Sequence, residues 1–191
     1  TDGTIIAYDV QPGSASYNQE INRFRPLASD VTDLTITEDG KTTFAVSNND
    51  ALGFYIPIID TNPGSPTYGK LRGQVQPASL TYATPQCIEA SPDNRFVLMG
   101  DRAREQVFII DAAGVSDGQA ATVVDSAGIG PSNILDIEFH PSGRYAYIAA
   151  TLPDLVFVLN MDKTMIEFGL VESIISMPGP APEETPFSLD L

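Results

Sequence analysis

Apolar residues follow two rhythms along this chain, and the two recur together. Around residues 134–139 Ile137 and Phe139 alternate with Asp136 and Glu138. The turn His140-Pro141-Ser142-Gly143 follows, then an aromatic-rich run from Tyr145 to Ala149. A last run, Val156 to Leu159, is apolar without interruption and ends on Asn160. Alternation predicts a strand with two unlike faces; an unbroken apolar run of strand length predicts a strand buried on both.

The turn recurs as Thr37-Glu38-Asp39-Gly40 and Ser91-Pro92-Asp93-Asn94, a period of about 50 residues. Its chemistry is consistent: Pro presets φ, Asp, Asn or Ser favour the bend, and Gly or Asn in fourth place takes the left-handed conformation of a bulged hairpin. The unbroken run recurs independently as Ile5-Ile6-Ala7-Tyr8-Asp9, Ile56-Pro57-Ile58-Ile59-Asp60 and Val107-Phe108-Ile109-Ile110-Asp111. A more variable strand follows each time, around 20–25, 70–75, 121–125 and 171–176. Pro57 has no amide hydrogen, so a bulge or a lost ladder bond is expected there. Asp9, Asp60, Asp111 and Asn160 recur in every repeat and are expected to cap strand ends by accepting from the next turn's amides.

Strands in groups of four at this period predict an all-β chain folded as a β-propeller, with about four four-stranded antiparallel blades. Three are complete (31–83, 84–132, 133–180), and partial blades stand at both ends (1–30 and 181–191). Residues 186–191 read as the first strand of another blade, so the expectation is a segment of a 6–8-bladed propeller, closed by self-association or by a companion segment.

The Ser91-Pro92-Asp93-Asn94 turn, the Tyr147-Ile148-Ala149-Ala150 strand and the Val107-Phe108-Ile109-Ile110-Asp111 strand together resemble YVTN-type propeller repeats and, more loosely, lactonase-like propellers. The naming tetrapeptide is replaced elsewhere by Phe44-Ala45-Val46-Ser47 and Leu98-Met99-Gly100-Asp101. The resemblance implies an extracellular, periplasmic or cell-surface protein that binds other macromolecules through loops on one face.

Charge narrows the partners. Ten Lys and Arg stand against 25 Asp and Glu in 191 residues, a net charge of −15, which repels phosphate backbones and anionic lipid surfaces. No apolar run is long enough to span a bilayer, so neither nucleic-acid binding nor membrane insertion is expected. One cysteine, Cys87, and one histidine, His140, leave no internal disulfide and no multi-histidine metal site. No Gly-x-Ser-x-Gly elbow accompanies His140, which disfavours a Ser-His-Asp hydrolase.

Two sets of candidate residues remain. On the first strand of each blade, Thr35, Glu89, Glu138 and Asp190 share one position, with Asp33, Cys87, Asp136 and Ser188 two residues earlier on the same face. Converging carboxylates suit calcium or another divalent cation, and Glu89, Glu138 and Asp190 are the ligands of a lactonase-like, metal-dependent hydrolase. The competing reading is of solvated acids in a water-filled channel, with no cofactor. On the loop face, Asn48, Asn49, Asp50, Arg102, Arg104 and Asp154 are the ligand-binding candidates. The two arginines are placed to grip a carboxylate of a protein or glycan, or to make exposed ion pairs with Asp101 and Glu105. The first function expected is a non-catalytic scaffold; the hydrolase is the alternative.

Overall fold

A computed structural model describes residues 3–25, 31–46, 56–75, 84–130, 132–151 and 154–176. Sheet I pairs β1 (Ile5–Tyr8) with β2 (Glu20–Phe24). Sheet II holds β3 (Asp33–Ile36), β4 (Thr42–Val46), β5 (Ile56–Asp60) and β6 (Leu71–Val75). Sheet III holds β7 (Pro85–Ala90), β8 (Phe96–Asp101), β9 (Gln106–Asp111) and β10 (Thr122–Gly128). Sheet IV holds β11 (Asn133–Phe139), β12 (Tyr145–Thr151), β13 (Leu155–Asn160) and β14 (Val171–Ser176). Strands pair antiparallel in chain order within every sheet, as expected of propeller blades. The expected strand at 186–191 lies outside the described residues.

The first strands β3, β7 and β11 lie beside one another and form the inner row of the arc. Between sheets the unbroken apolar strands pack face to face. Phe44, Ile58, Met99 and Ile110 belong to the cluster between sheets II and III; Leu98, Ile109, Ile134, Ile148 and Leu159 belong to that between III and IV. Both faces of β5, β9 and β13 are buried, which is why their sequences do not alternate; β1 carries the same kind of run but leaves Ile6 and Tyr8 exposed.

The turns carry the conformations their residues demand. Gly40, Asn94 and Gly143 have φ of 69°, 59° and 68°. Thr37 and Ser91 donate to Asp39 and Asp93 within the same turns at 2.7 and 2.6 Å. His140 does the equivalent work: its Nδ1 accepts from the Ser142 amide at 3.1 Å, so this histidine is a turn residue. The strand-end caps also form. Asp9, Asp60, Asp111 and Asn160 accept from the amides of Gln11, Asn62, Ala113 and Asp162 at 2.9–3.0 Å. The β4–β5 ladder ends at the Phe44–Ile58 pair, one residue short of Pro57, as the missing amide requires.

Every outer strand carries a bulge that leaves one residue out of the ladder: Ile21, Arg72, Val124 and Glu172. A bulge re-aims its side chain, and two of these reach the strand-end cap of the neighbouring strand. Arg72 Nη2 lies 3.0 Å from the buried Asp60, whereas in sheet IV Asn160 Nδ2 donates to Glu172 at 3.0 Å. Arginine meets aspartate, and glutamate meets asparagine.

Candidate functional site

The inner row is where the predicted acids gather. An innermost strand has amides on its free edge that no strand satisfies, and β7 shows how sheet II covers them. Asp33 Oδ2 accepts from the Ile88 amide at 2.8 Å, and Thr35 Oγ1 accepts from the Ala90 amide at 3.0 Å. The same Thr35 hydroxyl donates its proton to Glu89 Oε2 at 3.1 Å. Two polar side chains predicted to face the channel thus stitch one blade to the next.

The carboxylates of this row share one electrostatic environment. Burial, opposed by the Thr35 hydrogen bond and reinforced by the charges of Glu138, Asp33 and Asp136, pushes Glu89 up to about 7. Burial also raises Asp33, against the pull of the Ile88 and Leu34 amides and with the push of Asp136. Cys87 occupies the place that is Asp33 or Asp136 in the flanking blades. It is buried, and burial together with the Asp33 and Asp136 charges raises its thiol far above the ordinary range. A thiol held protonated in this way is a packing group.

Of the three acids expected to hold a cation, Glu89 and Glu138 lie on neighbouring inner strands and Asp190 lies outside the described residues. Among the described residues no three His, Cys, Asp or Glu are close enough to hold a metal ion. The described residues alone do not make a metal centre.

On the loop face, Asn48, Asn49 and Asp50 lie outside the described residues. Arg102 and Arg104 sit in the β8–β9 turn, where the expected ion pairs with Asp101 and Glu105 form only in part. Arg104 Nε stands 3.8 Å from Asp101 and its guanidinium lies over the Phe108 ring at 5.9 Å. Arg102 is exposed and turns instead to Asn133, the first residue of β11, with Nε donating at 3.0 Å. Asp101 is fully buried, and its Oδ1 accepts from the Thr84, Ala103 and Arg104 amides. Asp154 is an exposed turn residue before β13.

Sequence reasoning missed the connections between third and fourth strands. Residues 9–18 and 60–69 share the pattern Asp-x-x-Pro-Gly-Ser-x-Ser/Thr-Tyr-Asn/Gly. In each, two hydroxyls close on the second carboxylate oxygen: Ser14 and Ser16 on Asp9 at 2.5 and 2.6 Å, Ser65 and Thr67 on Asp60, both at 2.5 Å. Sheet III breaks the pattern and inserts a single 3-10 turn, Val115–Asp117. An open cleft of about 500 Å³ lies beside that turn, lined by Ile58, Arg72, Gly73, Gln74 and residues 115–121.

Comparison with known proteins agrees with this architecture. Residues 1–188 match the family model described as Lactonase, 7-bladed beta-propeller. Among solved structures, Kuenenia stuttgartiensis Hydrazine Synthase is similar, with a TM-score of 0.60 and 17% identity. The alignment covers 84% of this chain and 39% of that one, so this chain spans about two-fifths of its length; at that identity the likeness is one of fold. No curated protein matches the chain.

Proposed function

Because the chain belongs to the lactonase family of seven-bladed β-propellers, we propose that it serves as an arc of binding scaffold in an exported or cell-surface protein. Its partner is a carboxylate-bearing protein or glycan held by the loop face. The observation that carries this reading is Arg102, an exposed guanidinium on a chain of net charge −15 whose hydrogen-bond partner is a neutral asparagine. A guanidinium in that setting favours a carboxylate ligand over the surrounding acidic surface. The exported setting rests on the resemblance to surface-layer and secreted propellers. Further strands, from this or a companion polypeptide, would cover Leu34 and Ile36, which are 38% and 51% exposed where the inner strands of a neighbouring blade would lie.

The test is binding to immobilised polygalacturonate and to a poly-glutamate peptide. The native protein should bind one of them, and Arg102→Glu should abolish that binding without lowering the melting temperature. Absence of binding to both, or binding indifferent to the substitution, would refute the proposal.

A second reading, hydrolysis of a lactone at the inner row, is favoured by one observation: crowding by Glu138, Asp33 and Asp136 helps bring Glu89 to about 7, where a carboxyl can exchange a proton with substrate at neutral pH. This reading uses Glu138 and Asp190 beside Glu89, with a divalent cation as the accompanying expectation. Opening of an aldonolactone, followed by pH-stat with and without chelator, decides it. Turnover that vanishes in Glu89→Gln would support it, and turnover equal to the uncatalysed rate would exclude it.

A further inference from the structure

Arg102 and Asn133 meet across the seam between sheets III and IV, and each stands on backbone that the fold holds in place. Asp101, fully buried, accepts from the Thr84, Ala103 and Arg104 amides at 2.9, 2.9 and 3.3 Å. Between them the Arg102 amide donates to the Thr84 carbonyl at 3.0 Å. The turn is therefore clamped on both sides of Arg102. Asn133 pairs with Thr151 at the first rung of the β11–β12 ladder. Side chains presented from fixed backbone lose less freedom on binding than those of a loose loop.

A hydrogen-bond inventory of the pair leaves donors only. Arg102 Nε donates to Asn133 Oδ1 at 3.0 Å. A guanidinium cannot accept, so the oxygen of the Asn133 amide is the atom turned toward it, and Nδ2 is the atom left over. Among the described residues neither Nδ2 nor either Nη of Arg102 has a hydrogen-bond acceptor. The amide oxygen and nitrogen share one carbon, which keeps Nδ2 beside the guanidinium. The free Nη edge is a charged fork that matches a carboxylate, and the neutral Nδ2 next to it asks for a second acceptor oxygen close to that carboxylate. The side chains of aspartate and glutamate carry a methylene at that place. A uronate instead carries its ring oxygen there, on the carbon that bears the carboxylate.

We propose that Arg102 and Asn133 form a subsite for uronate residues of an acidic glycan, with the Arg102 fork on the carboxylate and Asn133 Nδ2 on the ring oxygen. The sugar would bridge two blades. The assignment rests on the carboxylate-binding reading of the loop face and selects its glycan arm over its protein arm.

Trigalacturonate and a triglutamate peptide blocked at both ends carry the same charge and serve as probes. Each is titrated into the intact protein by calorimetry, with a chelator present so that no divalent cation bridges acid to acid. Trigalacturonate should bind more tightly by about three- to tenfold, the worth of one added hydrogen bond. Asn133→Ala should erase that preference while the triglutamate affinity, which depends on Arg102, stays. In the native protein the NMR signals of the Asn133 side-chain amide should move with trigalacturonate and not with triglutamate, a readout that holds even if Asn133→Ala fails to fold. Equal or reversed affinities, a preference that survives in Asn133→Ala, or amide signals that trigalacturonate leaves in place would each overturn the uronate assignment with the carboxylate reading intact. Binding of neither probe would overturn both.

Discussion

The seam between sheets II and III and the seam between sheets III and IV join homologous surfaces by different chemistry. Both have an apolar centre, but the first is fastened at its margins by polar stitches. These are Asp33 and Thr35 on the β7 edge, Ser116 on Thr42, and Arg72 on the Val115 and Ser116 carbonyls. The second is fastened chiefly by packing, with Arg102 on Asn133 and Lys163 on Asp111 as exposed contacts at its margin. Phe168 meets Phe96 with ring centroids 5.2 Å apart, and β8 approaches β11 so closely that a Cβ on Gly100 would lie 2.7 Å from Ile134. A stitched seam tolerates an open cleft beside it because its hydrogen bonds fix the spacing; a packed seam has no such latitude.

The packed seam depends most on Phe96. Phe96→Ala removes a buried ring in contact with Phe168 and should cost about 3–5 kcal/mol of unfolding free energy in urea titrations. Gly100→Ala should cost about 1–3 kcal/mol by overpacking the same seam. A loss below 1 kcal/mol in both would mean that packing does not hold sheets III and IV together.

At the stitched seam the decisive change is Thr35→Val, which keeps the shape and leaves the buried Ala90 amide without its acceptor. The expected cost is about 1–3 kcal/mol, and Asp33→Asn, which retains an acceptor for Ile88, should cost less. Equal losses for the two would show that charge rather than edge satisfaction joins the blades.

Acidity separates two carboxylates on the stitched side of the molecule. Glu89 stands at about 7 in the folded chain against an ordinary 4.5. Its protonated form is thus favoured by folding: the stability it contributes is complete below pH 4.5 and is lost as pH rises through 7. Glu89→Gln should therefore stabilise the protein at pH 8 and have little effect near pH 4.5. Asp60 runs oppositely. Burial would raise it, but Ser65, Thr67, the Asn62 amide and Arg72 together hold it at about 2. Its stabilisation is present above pH 3.8 and disappears as pH falls toward 2. Melting temperatures of native protein, Glu89→Gln and Asp60→Asn between pH 2 and 9 would separate the two.

What the sequence discloses of all this depends on range. The turns and strand-end caps are legible because donor and acceptor sit within five residues of one another, as with Asp60 and the Asn62 amide. The inner row is legible as a shared face, since Asp33, Cys87 and Asp136 occupy one phase of the repeat. What Thr35 does there is not, because its partners Glu89 and Ala90 lie 54 and 55 residues away. The Arg72–Asp60 and Glu172–Asn160 pairs depend on a one-residue bulge that alternation does not announce. The cleft leaves its trace as a missing motif: the aromatic-glycine pair that ends the connection after Asp60 and Asn160, Tyr68-Gly69 and Phe168-Gly169, is absent after Asp111.

The smallest expected effect tests whether the packed seam owes anything to charge. Lys163 reaches from sheet IV to Asp111 of sheet III at 3.0 Å, and the same ammonium stands 5.2 Å from the centre of the Phe96 ring. An exposed ion pair and a cation over an aromatic face are each worth about 0.5–1 kcal/mol, but salt acts on them differently. The ion pair is screened at molar salt, where the Debye length falls to about 3 Å, while contact of the lysine stem with the ring is not. Lys163→Met should therefore cost under about 1 kcal/mol at low salt and less than half of that in 1 M NaCl if Asp111 is the operative partner. A loss that salt leaves unchanged would assign the lysine to Phe96, and the seam between sheets III and IV would then be held by its aromatic cluster at its margin as well as at its centre.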